Sequence, residues 1–217
     1  MKYLSVFLIT SAVAAPVLAA ELTVTVVDNK NIPLEDIVVY AEPKSVFPST
    51  AKIKEKLVID QKDKKFVPYI TVIQKGQEVL FENKDDITHH IYSVSGENRF
   101  EFKLKAGASK SVDAMQATEE VAMGCNIHDW MSGFVLVVDT PYFGKTNKQG
   151  IVTFNLENTD EYKVTVWHPQ LDTQTRKLSQ SHIINNNNQT ILMTLPKPLL
   201  PIPKQMGQEE FEFLEEY

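Results

Sequence analysis

Little in this chain could hold it together covalently or carry it through a bilayer. Its 217 residues include one cysteine, Cys125, so no internal disulfide forms. Beyond the N-terminal stretch no apolar run is long enough to span a membrane as a helix. Basic residues are not in excess: 22 Lys and Arg stand against 28 Asp and Glu, a formal net charge of −6. A mildly acidic chain is a poor partner for nucleic acid or for an anionic membrane surface. No long stretch repeats its apolar residues at helical period, which leaves β-structure as the expected class.

The N-terminus carries Lys2, an apolar run from Tyr3 to Leu18, and the small residues Ala19 and Ala20 before the first acid, Glu21. This pattern predicts a cleaved secretory leader over residues 1–19, with an uncleaved anchor as the alternative. Cleavage leaves 198 residues carrying 21 bases and 28 acids, a net charge of −7. That is enough for one large domain or two small ones, with no membrane attachment and a periplasmic location. A lone thiol exported to such a compartment is exposed to oxidation, and metal ligation would protect it. The other reading is an inert cysteine packed as a small hydrophobe.

Strand signals dominate the mature part. Leu22–Val27 and Ile37–Tyr40 are β-branched runs on either side of a turn-rich Asp28–Pro33 segment and are expected to pair. Leu57–Ile59 reads as a short strand before a surface turn over Gln61–Lys65. Ile70–Ile73, Glu78–Glu82, His89–Val94, Phe100–Leu104, Glu119–Met123 and Phe134–Val138 follow, divided by Gly76, Gly96 and Gly107. This spacing predicts an antiparallel sandwich or barrel. A second series comprises Ile151–Leu156, Tyr162–Trp167, Thr173–Leu178 and Gln189–Leu195. The last 20 residues, 198–217, belong to a tail rich in proline and then in glutamate, expected to be extended or mobile.

Cys125 lies in Gly124-Cys125-Asn126-Ile127-His128-Asp129-Trp130-Met131, so a thiolate, an imidazole and a thioether fall within seven residues. Copper cycling between Cu(I) and Cu(II) calls for a soft thiolate, borderline imidazoles and a weak axial thioether. One tight loop with this C-x2-H-x2-M spacing can present three of the four, and a second histidine must come from elsewhere. The upstream candidates are His89 and His90. Adjacent strand residues point to opposite faces, so both cannot reach one ion without a bulge. His168 and His182 have no spaced partners and read as structural or exposed, and Met115 and Met123 as core fillers.

In these residues the chain resembles the cupredoxins, the small blue copper proteins. Phe66-Val67-Pro68, Gly76, Phe81, Asn83, His89, Cys125, His128 and Met131 follow the order of that family's pattern, over about residues 56–138. The short ligand loop looks most like amicyanin. The resemblance implies a Greek-key β-sandwich that binds one type 1 copper ion through His89, Cys125 and His128, with Met131 as the long axial ligand. The alignment favours His89, although His90 stands where the family has Asn. The loop also lacks the prolines of amicyanin-like loops, which implies a less rigid metal-free site. A binuclear copper centre would need a second cysteine in the loop, and there is none.

The flanking segments resemble carboxypeptidase-regulatory or transthyretin-like β modules. Pro33-Leu34 before a buried strand, the turn at Thr146–Gly150 and Tyr162-Lys163-Val164-Thr165-Val166 carry this likeness. It implies a discontinuous module, residues 20–44 and 139–197, around a copper domain at 45–138; two sequential units are the alternative. Together the resemblances imply a non-enzymatic periplasmic carrier of single electrons. Its redox protein partners would dock transiently on an apolar rim at Trp130, Phe134 and Pro141-Tyr142-Phe143. A copper carrier or store with the same ligands, and a structural β module with a degenerate metal site, are the rival functions.

Overall fold

Alternation of buried and more exposed residues builds many of the strands. In β1 (Ala20–Val27) the side chains of Ala20, Leu22, Val24 and Val26 turn inward, while Glu21, Thr23 and Thr25 face out. The computed structural model describes residues 20–45, 56–94, 96–156, 160–185 and 187–205. The leader expected over 1–19 and the glutamate-rich end of the tail, 206–217, lie outside the described residues.

Beyond β1, the strands are β2 (Val38–Pro43), β3 (Leu57–Lys62), β4 (Lys65–Val67), β5 (Ile70–Gln74), β6 (Val79–Asn83), β7 (His89–Ser93), β8 (Phe100–Leu104), β9 (Ser109–Val112), β10 (Glu120–Cys125), β11 (Ser132–Val138), β12 (Phe143–Lys145), β13 (Ile151–Leu156), β14 (Asp160–Trp167), β15 (Lys177–Ile184) and β16 (Gln189–Thr194). The fold is all-β. Among the described residues no helix is long and apolar enough to cross a membrane.

Four sheets form two sandwiches. The sheets β5-β11-β10-β7-β8 and β4-β3-β6-β9 close over a core that includes Ile59, Phe66, Ile73, Phe81, Ile91, Val121, Met115, Met123 and Val135. The sheets β13-β1-β16 and β12-β2-β14-β15 close over a second core with Leu22, Val24, Val39, Phe154, Val164 and Met193. The chain therefore leaves the second sandwich after β2 and returns to it at β12.

Three sequence expectations are corrected. β1 and β2 do not pair: β1 lies between β13 and β16, and β2 between β12 and β14. The segment between them arches from one sheet to the other, tied by Asp36 N–H to the Thr146 carbonyl at 2.9 Å. The pairing is mixed rather than purely antiparallel, since β1–β16, β5–β11 and β3–β6 run parallel. The strand expected at Thr173–Leu178 instead begins at Lys177, because Thr173 Oγ1 and Lys177 bond each other across a tight turn.

The two sandwiches share a seam. In β11, Val135 and Val137 fill the first core, while Phe134, Leu136 and Val138 point the other way. In β2, Val39 and Ala41 fill the second core, while Val38 and Tyr40 face the seam. With Ile70 and Trp167 these residues make a third apolar cluster. Each such side chain, fully buried, contributes about 1.5–3 kcal/mol relative to exposure. Two-sided burial is why Phe134–Val138 reads as an unbroken hydrophobic run.

Candidate metal centre

Strand register delivers the site. β7 and β10 run antiparallel with Ile91 opposite Cys125 and Tyr92 opposite Gly124. Two residues before Ile91, on the same inward face, is His89, fully buried. His90 points outward, where its Nε2 meets Glu101 at 2.7 Å. The structure thus brings His89, and not His90, to the thiol, and no bulge is needed.

Beyond Cys125 the chain turns sharply. Asn126 N–H donates to the His90 carbonyl at 3.0 Å, and Met131 N–H to the His128 carbonyl at 2.9 Å. This folds His128 back over the sulfur. Cys125 Sγ lies 3.7 Å from Nδ1 of His89 and 3.7 Å from Nδ1 of His128. The three ligand atoms all fall within 4.8 Å of one another. Met131, 1% exposed, packs in the same core cluster as Cys125.

The spacing suits a metal. An ion about 2.3 Å from a thiolate and about 2.0–2.1 Å from an imidazole nitrogen, with an angle near 120° between them, separates sulfur from nitrogen by about 3.7 Å. A soft sulfur with two imidazole nitrogens is a donor set for copper, and Met131 lies in the same buried cluster as that sulfur. The residues present therefore fit the ion.

Electrostatics favour the ligating form of the thiol. Burial alone would raise the Cys125 pKa, but hydrogen bonding to His89 and to the backbone of Ile127, His90 and His128 holds it below the ordinary value. Burial likewise disfavours charge on His89, yet its bonds to Cys125 and Asp85 raise its pKa. His128 is pushed down by burial and by the neighbouring His89. One imidazole is thus biased toward charge beside a sulfur biased toward thiolate, and the other is biased neutral.

Sequence reasoning missed the groups behind the ligands. Asp85 Oδ2 sits 2.8 Å from His89 Nε2, the ring nitrogen facing away from the sulfur. Asp85 also accepts the backbone N–H groups of Asp63 at 2.7 Å and Lys64 at 3.0 Å. Those two residues form the tight β3–β4 turn, and both have positive φ, 54° and 56°, without being glycine. Such residues cost on the order of 1–3 kcal/mol each and persist only where their surroundings hold them. Asn83, named as a motif residue, bonds the carbonyls of Ile87 and Leu104 through Nδ2 and accepts Asp85 N–H through Oδ1. Asp85 stands four residues before His89, but in a loop that separation carries no periodic signal.

The other singled-out residues fall into place by burial. Trp130 packs on His128, ring centroids 5.4 Å apart. Of the residues expected to form a rim, Phe134 and Phe143 are half-buried against the seam, Tyr142 is half-buried against the second core, Pro141 is exposed, and Trp130 lies beside the site. Met115 and Met123 fill the first core, and Phe66 and Phe81 lie there too. His168 is buried in the second sandwich, and His182 lies on β15 beside Gln180. The tail is extended and tied down as far as Gln205, whose side-chain amide makes two bonds to Ser132, next to Met131.

No protein-family model matches the chain, and no curated protein matches it. Among solved structures it is similar to a Cu-containing nitrite reductase (NirK) from Thermus scotoductus SA-01, at 22% identity over 46% of this chain and 26% of that one, TM-score 0.38. The chain thus spans about a quarter of that reductase. It is also similar to a Cu(I) form of an amicyanin mutant, at 22% identity over 46% of this chain and 99% of that one, TM-score 0.36. A purple cupredoxin from Nitrosopumilus maritimus matches at 20% identity over 38% of this chain and 100% of that one, TM-score 0.35.

Proposed function

We propose that this chain is a periplasmic type 1 copper protein that carries single electrons between redox partners and is not itself an enzyme. One copper ion is held by His89, Cys125 and His128, with Met131 as the weak axial ligand. The observation that carries this reading is the buried thiol lying 3.7 Å from two imidazole nitrogens. Copper, when bound, supplies the one-electron couple. The protein's own residues hold the ligands still and keep water out: His89 is fully buried, Cys125 2% exposed and Met131 1% exposed.

His128 is the ligand with an accessible edge, 7% exposed, flanked by Trp130 and by Ile127, which is 53% exposed. We read this corner as the transient docking point where a reduced protein gives up its electron and an oxidised one collects it. The N-terminal pattern supports export. The copper domain is read as an insertion at 45–138 within a carboxypeptidase-regulatory-like module formed by 20–44 and 139–197, whose role is structural or in docking.

The absorption spectrum of the copper-loaded protein tests the proposal. An intense visible sulfur-to-copper band that bleaches and returns on reduction and reoxidation is expected. A colourless site that holds only Cu(I) would favour a carrier or store. Copper content unchanged by Cys125→Ala would leave a structural module.

A further inference from the structure

The carboxylate of Asp85 occupies an unusual junction. Its Oδ2 is shared between Nε2 of His89 and the Lys64 N–H, while its Oδ1 takes the Asp63 N–H. Its side chain is 11% exposed and that of His89 is fully buried. A backbone carbonyl could have met the ring N–H, but this chain places a formal negative charge there and pins it with two amides of a turn whose residues both sit at positive φ. Neither Asp85 nor the turn can swing away without giving up those bonds.

We propose that Asp85 is a positioning residue: it keeps a proton on His89 Nε2, leaves Nδ1 as the ring nitrogen that faces Cys125 and binds the ion, and by its charge favours Cu(II) over Cu(I). This inference rests on the copper reading above. A carboxylate that accepts the distal N–H of a ligating histidine fixes the ring's tautomer and orientation and makes the ring a better donor. A negative charge behind the ring also interacts more favourably with the more highly charged ion. The reduction potential should accordingly lie lower than the same ligands would set alone.

Voltammetry of the copper-loaded chain is the test, comparing the wild type with Asp85→Asn and with Asp86→Asn at its exposed neighbour. Loss of a residue bonded to a ligand typically costs about 10–100-fold in metal affinity. Asp85→Asn is expected to weaken Cu(II) at least about tenfold more than Cu(I), raising the potential by about 59 mV for each tenfold. Asp86→Asn is expected to change that ratio less than about twofold. Equal shifts in the two variants, or none in Asp85→Asn, would overturn the role. If Asp85→Asn does not fold, nitrogen-15 NMR of the metal-free wild type at pH 8 decides the matter: a proton on His89 Nε2 is expected, in a ring protonated there alone or on both nitrogens, and a ring protonated on Nδ1 alone overturns it. A wild type with no reversible copper couple would instead refute the copper reading itself.

Discussion

The indole N–H of Trp167 donates to the carboxylate of Glu120 at 3.2 Å, tying β14 of one sandwich to β10 of the other. Arg176 pairs with the second oxygen of the same carboxylate. Trp167 is fully buried and meets Phe134 across the seam, ring centroids 6.4 Å apart. The strand that ends in Cys125 is thus braced at its far end by the second sandwich.

Trp167→Ala should cost about 3–5 kcal/mol, through lost burial and the cavity left behind. Trp167→Phe keeps an aromatic ring, though a smaller one, in the seam and loses the bond to a charged acceptor, the latter for about 1.5–3 kcal/mol. Denaturant unfolding of the three proteins checks the order. An alanine variant as stable as the phenylalanine variant would contradict seam packing as the larger contribution.

His168 makes stability pH-dependent. Burial pushes its pKa down to about 4, and its Nδ1 accepts the Gln170 N–H at 3.2 Å as a neutral ring must. The unfolded chain therefore binds this proton more readily than the folded one. Its contribution is whole above about pH 6.5 and is lost as pH falls toward 4, roughly 3 kcal/mol in all. His168→Gln should flatten that part of the stability profile, read by denaturant unfolding at several pH values. Parallel profiles for the two proteins would contradict it.

At Gly150, φ is +73° and an added Cβ would lie 2.5 Å from the Val26 carbonyl oxygen. That atom belongs to the backbone near the end of β1 and is held by the Leu34 N–H at 3.1 Å, so it cannot retreat freely. Gly150→Ala should destabilise by at least about 2 kcal/mol, from backbone strain plus overpacking. A melting temperature equal to wild type would show that the turn can relax.

Met131→Leu preserves bulk in the first core and removes the thioether. Copper should still bind, since the thiolate and both imidazoles remain, while the potential should rise as the axial donor to Cu(II) is lost. Met131→Ala would add a cavity cost of about 2–5 kcal/mol. Voltammetry separates the first effect and thermal unfolding the second. A Leu variant with an unshifted potential would remove Met131 from the ligand set.

Much of the β-structure was legible because it follows from local alternation. Phe100–Leu104 and Ile151–Leu156 are strands over the very residues that the pattern marked. β4, β9 and β12 escaped notice because three- or four-residue strands carry too little pattern, and β12 is only half-buried along its length. Phe134, Tyr142 and Phe143 read as an exposed rim because a run of aromatics looks the same whether it faces a partner protein or a second sandwich of its own chain. Asp85 went unseen since it meets His89 from a loop and is held in place by a turn 21 residues upstream at Lys64.

The sequence by itself determined the Cys125–His128–Met131 loop, the inward and outward faces of most strands, and the need for a histidine from elsewhere. These follow from covalent spacing and from the two-residue period of a strand, which act over a few bonds. Only the tertiary structure decided that His89 rather than His90 meets the sulfur, that Asp85 stands behind it, and that β1 joins strands more than a hundred residues away. Those choices depend on register between distant strands, set by burial on both faces of each sheet at once, and no short window of residues contains that information.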